Sequence, residues 1–338
     1  MNHTTPLIRE KAPLILAEIK KAKSVLLHCH PSPDPDSVGS ALAMKFAVEQ
    51  LGVKATVIKG DSDIPHSFMH FPGAQDIVMK NFHEIDTSEF DLFLCLDTAA
   101  LDRITLAGPV AFPATMTVVD IDHHPTNPGF GAINLVEPSY PATAQILFDL
   151  FKEWGIRITS DIATNLFMGI YTDTGGFKFL NVTPQTFQAA TELVALCPDF
   201  SRTIADMENS STVSDLHFRG IALAALEPVL GGKVGLSAVS LDELKAKNIS
   251  DESVSAGMIS SALRTAGEFD VVGALIEAEP RMVRASFRSK DANRFDVSAL
   301  AAAFGGGGHR LAAGTLIPLP LAEAKQKVVE KMKELYNL

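Results

Sequence analysis

Along the first part of the chain, short and almost wholly apolar runs alternate with longer stretches whose apolar residues recur every three or four positions. The runs Ser24–His30, Lys54–Lys59, Phe90–Asp97, Met116–Ile121 and Ala132–Val136 read as strands. The stretches Ser37–Leu51, Ala142–Trp154, Asp161–Asp173 and Pro184–Leu196 read as helices. Strands that are continuously apolar, rather than alternating, indicate a parallel sheet covered on both faces.

From Phe200 to Leu226 the pattern is helical with few breakers, and Pro228 and Gly231-Gly232 follow it. We expect a connector helix there. Beyond it come strand Val234–Ser240, helix Glu252–Ala266, strands Val271–Ala278 and Val283–Ser289, helix Val297–Phe304 and a glycine cluster. Strand Thr315–Pro318 and helix Leu321–Leu338 close the chain. The expected fold is α/β: a parallel-sheet domain over residues 1–200, a helical connector over 201–228, and a smaller α/β domain over 229–338.

Composition narrows the class. Hydrophobic residues are 46% and charged residues 20% of the 338, as in a well-packed globular protein. No apolar run reaches the ~20 residues that span a bilayer, and Met1–Pro13 lacks the apolar core of a secretory signal. The cysteines, Cys29, Cys95 and Cys197, are odd in number and read as reduced residues of a cytoplasmic protein. The net charge of −11 argues against gripping a long nucleic acid, which needs a basic stripe. A short anionic ligand remains compatible, because bound cations reverse the local potential.

In an open parallel sheet, ligands sit beyond the carboxyl ends of the strands. The first strand here runs into His30-Pro-Ser-Pro-Asp34-Pro-Asp36-Ser-Val-Gly39-Ser40, the third into Asp97-Thr98, and the fourth into Asp122-His123-His124-Pro125. Asp173 ends a helix in Tyr171-Thr-Asp-Thr-Gly-Gly-Phe177. A single carboxylate after a strand is commonly a helix cap or turn former. Several on one sheet edge repel each other and resist desolvation, so such a cluster calls for cations.

These segments, in this order and spacing, resemble the four motifs of the DHH phosphoesterase superfamily, with the signature at Asp122-His123-His124. Phe304–Gly314, FGGGGHRLAAG, resembles the glycine-histidine motif of the C-terminal domain that accompanies it. The most similar type is the compact oligoribonuclease, or nanoRNase, which also removes the 3′-phosphate of adenosine 3′,5′-bisphosphate. The resemblance implies one divalent cation held by His30, Asp34 and Asp97, and a second by Asp36, Asp97, His123 and Asp173, with Asp97 shared. Oxygen and imidazole donors suit manganese or magnesium, and the histidines favour manganese. Without a cysteine in the motifs, a thiolate zinc site is not expected. His124 would face the phosphate as donor or proton source, and Asp122 would orient the histidines.

In the second domain, four glycines and His309 exceed what a helix cap needs. Gly306, Gly307, Gly308 and His309 would bind the terminal nucleotide, letting backbone N–H groups approach it. Arg288 and Arg264 are the nearest basic residues for bidentate phosphate contact; the alternative for each is a solvated charge. Phe287, alternating with Arg288, should point into the core. His28 reads as packing and Asp120 as a cap or ion-pair partner. His66, His70, His83 and His217 match no ligand spacing. Thr98, Thr172 and Thr174 are either donors to the acids or simply β-branched residues at element ends.

The expected function is therefore a cytoplasmic, manganese-dependent hydrolase of short 5′-phosphorylated RNA or DNA oligonucleotides or dinucleotides, with its site in the cleft between the domains. No membrane partner is expected, and a homodimer is compatible. Hydrolysis of cyclic dinucleotides is the rival within the superfamily, and a non-catalytic nucleotide sensor the rival outside it. A pyrophosphatase is disfavoured by the glycine-histidine motif, and a processive exonuclease by the chain length and the absence of a basic channel.

Overall fold

The computed structural model describes residues 4–338, so the opening of Met1–Pro13 lies outside the described residues. The chain forms two compact units, Met1–Ser210 and Ser211–Leu338. In order, the first contains α1 (Pro6–Lys21), β1 (Ser24–His28), α2 (Pro35–Gln50), β2 (Lys54–Ile58), β3 (Leu92–Leu96), β4 (Thr117–Asp122), β5 (Ile133–Val136), α3 (Thr143–Trp154), α4 (Ser160–Asp173), α5 (Pro184–Val194) and α6 (Phe200–Glu208).

Its five strands are all parallel, in the order β2-β1-β3-β4-β5. The direction of progression reverses between β1 and β3, which makes the crevice beyond their carboxyl ends the natural ligand site. One sheet face, carrying Val25, Leu27, Leu94 and Ile121, packs against helices α1 to α5. The other, carrying Leu26, Phe93, Cys95 and Val118, is covered by Phe82, Phe90, Ile104 and Phe112. These come from two irregular segments with short 3-10 turns, which supply the cover expected on this face. They lie on either side of β3, at residues 61–91 and 97–116, and are too rich in Pro, Gly and Asp to sustain a helix.

Helix α1 is absent from the sequence expectation because prolines interrupt its pattern. Pro6 sits in the first turn, where its missing N–H matters little, whereas Pro13 removes one internal hydrogen bond. Burial of Ile8, Ala12, Ile15 and Ile19 along one stripe outweighs that loss. Thr5 caps the helix, accepting from Ile8 N at 3.3 Å.

The connector expected as one helix over Phe200–Leu226 is two. α6 ends at Glu208, and α7 (Val213–Ala224) begins the second unit. The intervening Asn-Ser-Ser-Thr offers side-chain oxygens that compete with helical hydrogen bonds. Thr212 and Asp215 form a capping box that starts α7 afresh.

The second unit continues with β6 (Leu226–Val229), β7 (Val234–Val239), α8 (Leu241–Ala246), α9 (Ala256–Leu263), β8 (Val271–Glu279), β9 (Met282–Ser289), α10 (Val297–Ala302), β10 (Gly307–His309), β11 (Ala312–Ile317) and α11 (Leu321–Tyr336). Its mixed sheet has the order β10-β11-β9-β8-β7-β6, and only β7 and β8 pair in parallel. The glycine cluster, read as a loop, includes the strand β10, which pairs antiparallel with β11. Phe287 is fully buried among Val283, Leu300 and Val328, as its alternation required.

Candidate active site

The sequence motifs of the first unit meet at the β1/β3 switch point. β1 leads to His30, whose backbone N–H donates to Ser37 Oγ at 3.0 Å. Asp34 caps α2: its Oδ1 accepts from Ser37 N at 2.9 Å. Its Oδ2 lies 3.4 Å from His30 Nε2. Cap and candidate ligand are thus the same residue, one oxygen for each task.

Asp36, in the first turn of α2, is fully buried. It accepts from Thr143 N (2.7 Å, Oδ2), Ala144 N (2.9 Å, Oδ1) and Ser40 Oγ (3.2 Å, Oδ1). It therefore caps α3 across the fold, and only Oδ2 keeps an uncommitted lone pair. Thr143 also donates through Oγ1 to Asp97 Oδ1 at 3.2 Å. Thr143 carries no sequence signal beyond its place at a helix start and was missed; Ser40 closes the first motif but was given no role there. The threonines that were considered behave otherwise: Thr98 donates to Leu96 O, Thr172 to Met168 O and Thr174 to Ile170 O. They close element ends rather than support the acids.

Asp97 follows β3 with φ +54°, a left-handed conformation unusual for a residue with a side chain. Its carboxylate is buried, and its two oxygens face different partners. Oδ2 lies 3.8 Å from His30 Nε2, while Oδ1 lies 3.5 Å from His123 Nε2 and 3.8 Å from His124 Nδ1. Asp173, the last residue of α4, places Oδ2 3.3 Å from His123 Nε2.

His123 Nε2 is buried and makes no hydrogen bond. Its carboxylate neighbours, Asp173 Oδ2 at 3.3 Å and Asp97 Oδ1 at 3.5 Å, stand near the separation of two atoms that ligate one ion: adjacent donors at ~2.1 Å in an octahedron are ~3 Å apart. Three groups of donors fall within 4.8 Å of one another: His30, Asp34 and Asp97; Asp36, His123 and Asp173; and Asp97, Asp122, His123 and His124. The donors present thus fit divalent cations.

Titration behaviour agrees with that fit. Burial, reinforced by Asp97, pushes the Asp36 carboxyl up to about 7. Burial and Asp36 push Asp173 well above the usual carboxylate range. For His123, burial alone would lower the pKa, but Asp97, Asp36 and Asp173 raise it to about 10. Without cations the cluster holds protons in their place.

Asp122 ends β4 fully buried, and its carboxylate is engaged on both sides. Oδ1 accepts from His123 N (2.8 Å) and His124 Nδ1 (2.7 Å), and Oδ2 from Asn127 Nδ2 (2.9 Å). With three donors on it, it suits orientation of His124 better than ligation.

His28 is packing: it is buried, stacked on Phe93 at 5.2 Å, and held neutral by burial, which lowers its pKa to about 3. Asp120 is neither cap nor ion-pair partner; its Oδ1 accepts from Asn127 at 3.2 Å and Oδ2 is buried without a partner. Among the described residues, His66, His70, His83 and His217 join none of the donor groups.

In the second unit, strand register settles which residues share a face. His309 pairs with Ala312, which pairs with Arg288; Gly307 pairs with Gly314, which pairs with Ser286. Directly paired residues point to the same side. His309, Gly307 and Arg288 therefore lie on one face, over a floor of Ala312 and Gly314 that has almost no side chain. Arg288 donates to Ser286 Oγ (3.1 Å) and to the Phe287 carbonyl (3.0 Å), both neutral acceptors. Burial and the Arg264 charge nearby lower its pKa, so two cationic groups converge there.

The glycines have separable explanations. A Cβ at Gly306 would stand 2.2 Å from Gly314 O, and one at Gly308 would stand 2.6 Å from Ala312 O. A Cβ at Gly307 would meet nothing within 4 Å, so packing does not account for that residue.

The chain belongs to the DHH family of phosphoesterases: the DHH family N-terminal domain matches residues 24–170, and a DHHA1 domain matches residues 239–337. Among its relatives, it is 32% identical to the bifunctional oligoribonuclease and PAP phosphatase NrnA of Thermus thermophilus, covering 98% of this chain and 97% of that one. It is 25% identical to the protein of the same name from Bacillus subtilis, over 90% and 92% of the two chains. In fold it is similar to an exopolyphosphatase-related protein from Bacteroides fragilis, with a TM-score of 0.85 at 23% identity over 98% of each chain. Among the described residues, no helix is long and apolar enough to cross a membrane.

Proposed function

We propose that this protein hydrolyses short 5′-phosphorylated oligonucleotides to nucleoside monophosphates, and adenosine 3′,5′-bisphosphate to AMP, with two divalent cations, manganese first. The observation that carries the two-cation reading is Asp97, whose two carboxylate oxygens face two separate imidazole groups. His30, Asp34 and Asp97 would hold one cation, and Asp36, Asp97, His123 and Asp173 the other. When bound, the cations supply Lewis acidity toward the phosphate and lower the pKa of water. Relatives named as oligoribonucleases and PAP phosphatases support the substrate class.

The protein's own side chains then have distinct tasks. Asp122 holds His124 through Nδ1, which leaves Nε2 as the atom to donate to the phosphate or to move a proton. α3 directs its first amides at Asp36, fixing which oxygen that residue can offer. On the second unit, Arg288, Arg264 and His309 would bind the phosphate of the terminal nucleotide, with Gly306, Gly307 and Gly308 allowing close backbone approach. The buried, unpaired cysteines fit a cytoplasmic setting.

The test is product analysis with manganese on four substrates: a 5′-phosphorylated dinucleotide, a cyclic dinucleotide, adenosine 3′,5′-bisphosphate and a twenty-nucleotide strand. Mononucleotides from the linear dinucleotide and AMP from the bisphosphate are expected at the highest kcat/KM. Preference for the cyclic dinucleotide would move the assignment to signal hydrolysis. Equal efficiency on the long strand would indicate a processive exonuclease. Binding without turnover would indicate a sensor.

A further inference from the structure

Asn127 lies in the loop beyond His124 and belongs to none of the donor groups. Its side chain nonetheless touches two of the segments that present them, the end of β4 and the turn after Asp97. Nδ2 donates to Asp122 Oδ2 at 2.9 Å, and lies 3.2 Å from both Asp120 Oδ1 and the Thr98 carbonyl. Oδ1 accepts from Gly129 N at 2.8 Å, which fixes the orientation of the amide. Its backbone N–H donates to the His124 carbonyl at 3.1 Å.

The placement has two consequences. Asp120 and Asp122 are both fully buried, two residues apart on the same face of β4. The amide hydrogens of Asn127 stand between carboxylates that would otherwise repel each other. The same hydrogens hold Asp122 from the side opposite His124, so the plane of that carboxylate, and with it the His124 ring, is set from both edges. The bond to the Thr98 carbonyl anchors the turn immediately after Asp97, the residue held at φ +54°.

We infer that Asn127 is a positioning residue for the reaction: it aims His124 through Asp122 and ties the turn carrying Asp97 to the Asp122–His124 segment. The inference rests on the hydrolase reading above. A purely structural role, in which Asn127 only offsets the buried Asp120, predicts something different.

The experiment compares wild type, Asn127→Ala, Asn127→Asp and the exchange variant D120N/N127D, measuring kcat, KM, bound manganese and melting temperature. Asn127→Ala and Asn127→Asp should lower kcat by about 10–100-fold with KM changed less than about twofold, in the range seen for residues that orient ligands or catalytic groups. The exchange returns an amide to the 120–127 pair, so its melting temperature should recover toward wild type. It gives Asp122 Oδ2 no donor, so its kcat should stay low. Recovery of kcat together with stability would overturn the inference in favour of the structural role, as would wild-type kcat in Asn127→Ala. Absence of cation-dependent hydrolysis in the wild type would instead overturn the underlying hydrolase reading.

Discussion

Gly169→Ala probes the site from a residue that bears no functional group. Gly169 lies in α4, where a Cβ would stand 2.6 Å from Asp36 Oδ1, 2.8 Å from Ala144 Cβ and 3.2 Å from Asp36 Cα. Ordinary contact begins at 3.4 Å, so the methyl needs about 0.8 Å more room. Asp36 cannot swing aside, because Thr143 N, Ala144 N and Ser40 Oγ hold both its oxygens. Either α2 and α3 back away from α4 or those hydrogen bonds break. Overpacking of this kind costs ~1–3 kcal/mol, which for a unit of this size corresponds to a melting temperature lower by ~2–12 °C. Displacing a candidate ligand should also weaken cation binding by ~10–100-fold. The assays are thermal unfolding and manganese binding, with Gly220→Ala as control, since a Cβ there meets nothing within 4 Å. Unchanged stability and manganese affinity in Gly169→Ala would refute the claim that close approach at this glycine builds the Asp36 site.

Other outcomes follow from the same geometry. His123→Ala should lower bound metal, whereas His124→Ala should keep it and slow turnover by ~10²–10⁴-fold; metal analysis giving the reverse pattern would exchange their roles. In the metal-free protein, Asp36 and His123 have folded-state pKa values of about 7 and about 10, above 3.8 and 6.5. Each contributes stability that is present at low pH and lost as pH rises through the folded value. Metal-free melting temperature should thus fall from about pH 4 toward 10, and added manganese should raise it more at pH 8 than at pH 5.5, because the ligands must shed protons; a manganese effect that shrinks with pH would contradict this. Arg288→Ala and Gly307→Ala should raise KM for a dinucleotide by about tenfold, ~1.4 kcal/mol of binding, while hydrolysis of a small artificial phosphodiester stays near wild type. Equal losses on both substrates would remove the second unit's face from substrate binding.

Most strands and helices were legible because each is either continuously apolar or repeats at helical spacing, signals that survive without tertiary context; β6 and β10, short and marked by Pro228 and the glycines, were not. α1 was not, since Pro13 masks a stripe that only burial against α3 and β5 makes worthwhile. The break at Asn209–Thr212 was equally hidden, because four polar residues within a helical pattern do not announce which one becomes a cap. At the site, the aspartates and histidines stood out for their chemistry at strand ends. Thr143 did not, since its importance lies in reaching Asp36 across the fold, 107 residues away. Ser40 and Asn127 meet their carboxylates four and five residues away, but which polar side chain turns to which acid is set only by the folded geometry. Asp34 shows how two readings of one residue can both hold, one oxygen capping α2 and the other facing His30. Gly306 and Gly307 look alike in sequence and differ only when a Cβ is imagined on each.

The central claim is that one crevice holds two cations sharing Asp97. Equilibrium dialysis of manganese against the metal-free protein measures it directly, for wild type and Asp97→Asn. The wild type should take up two ions per chain, and Asp97→Asn should weaken both sites together, because its two oxygens face both donor groups. A wild-type plateau at one ion per chain, or an Asp97→Asn protein that loses one site and keeps the other at full affinity, would contradict the account.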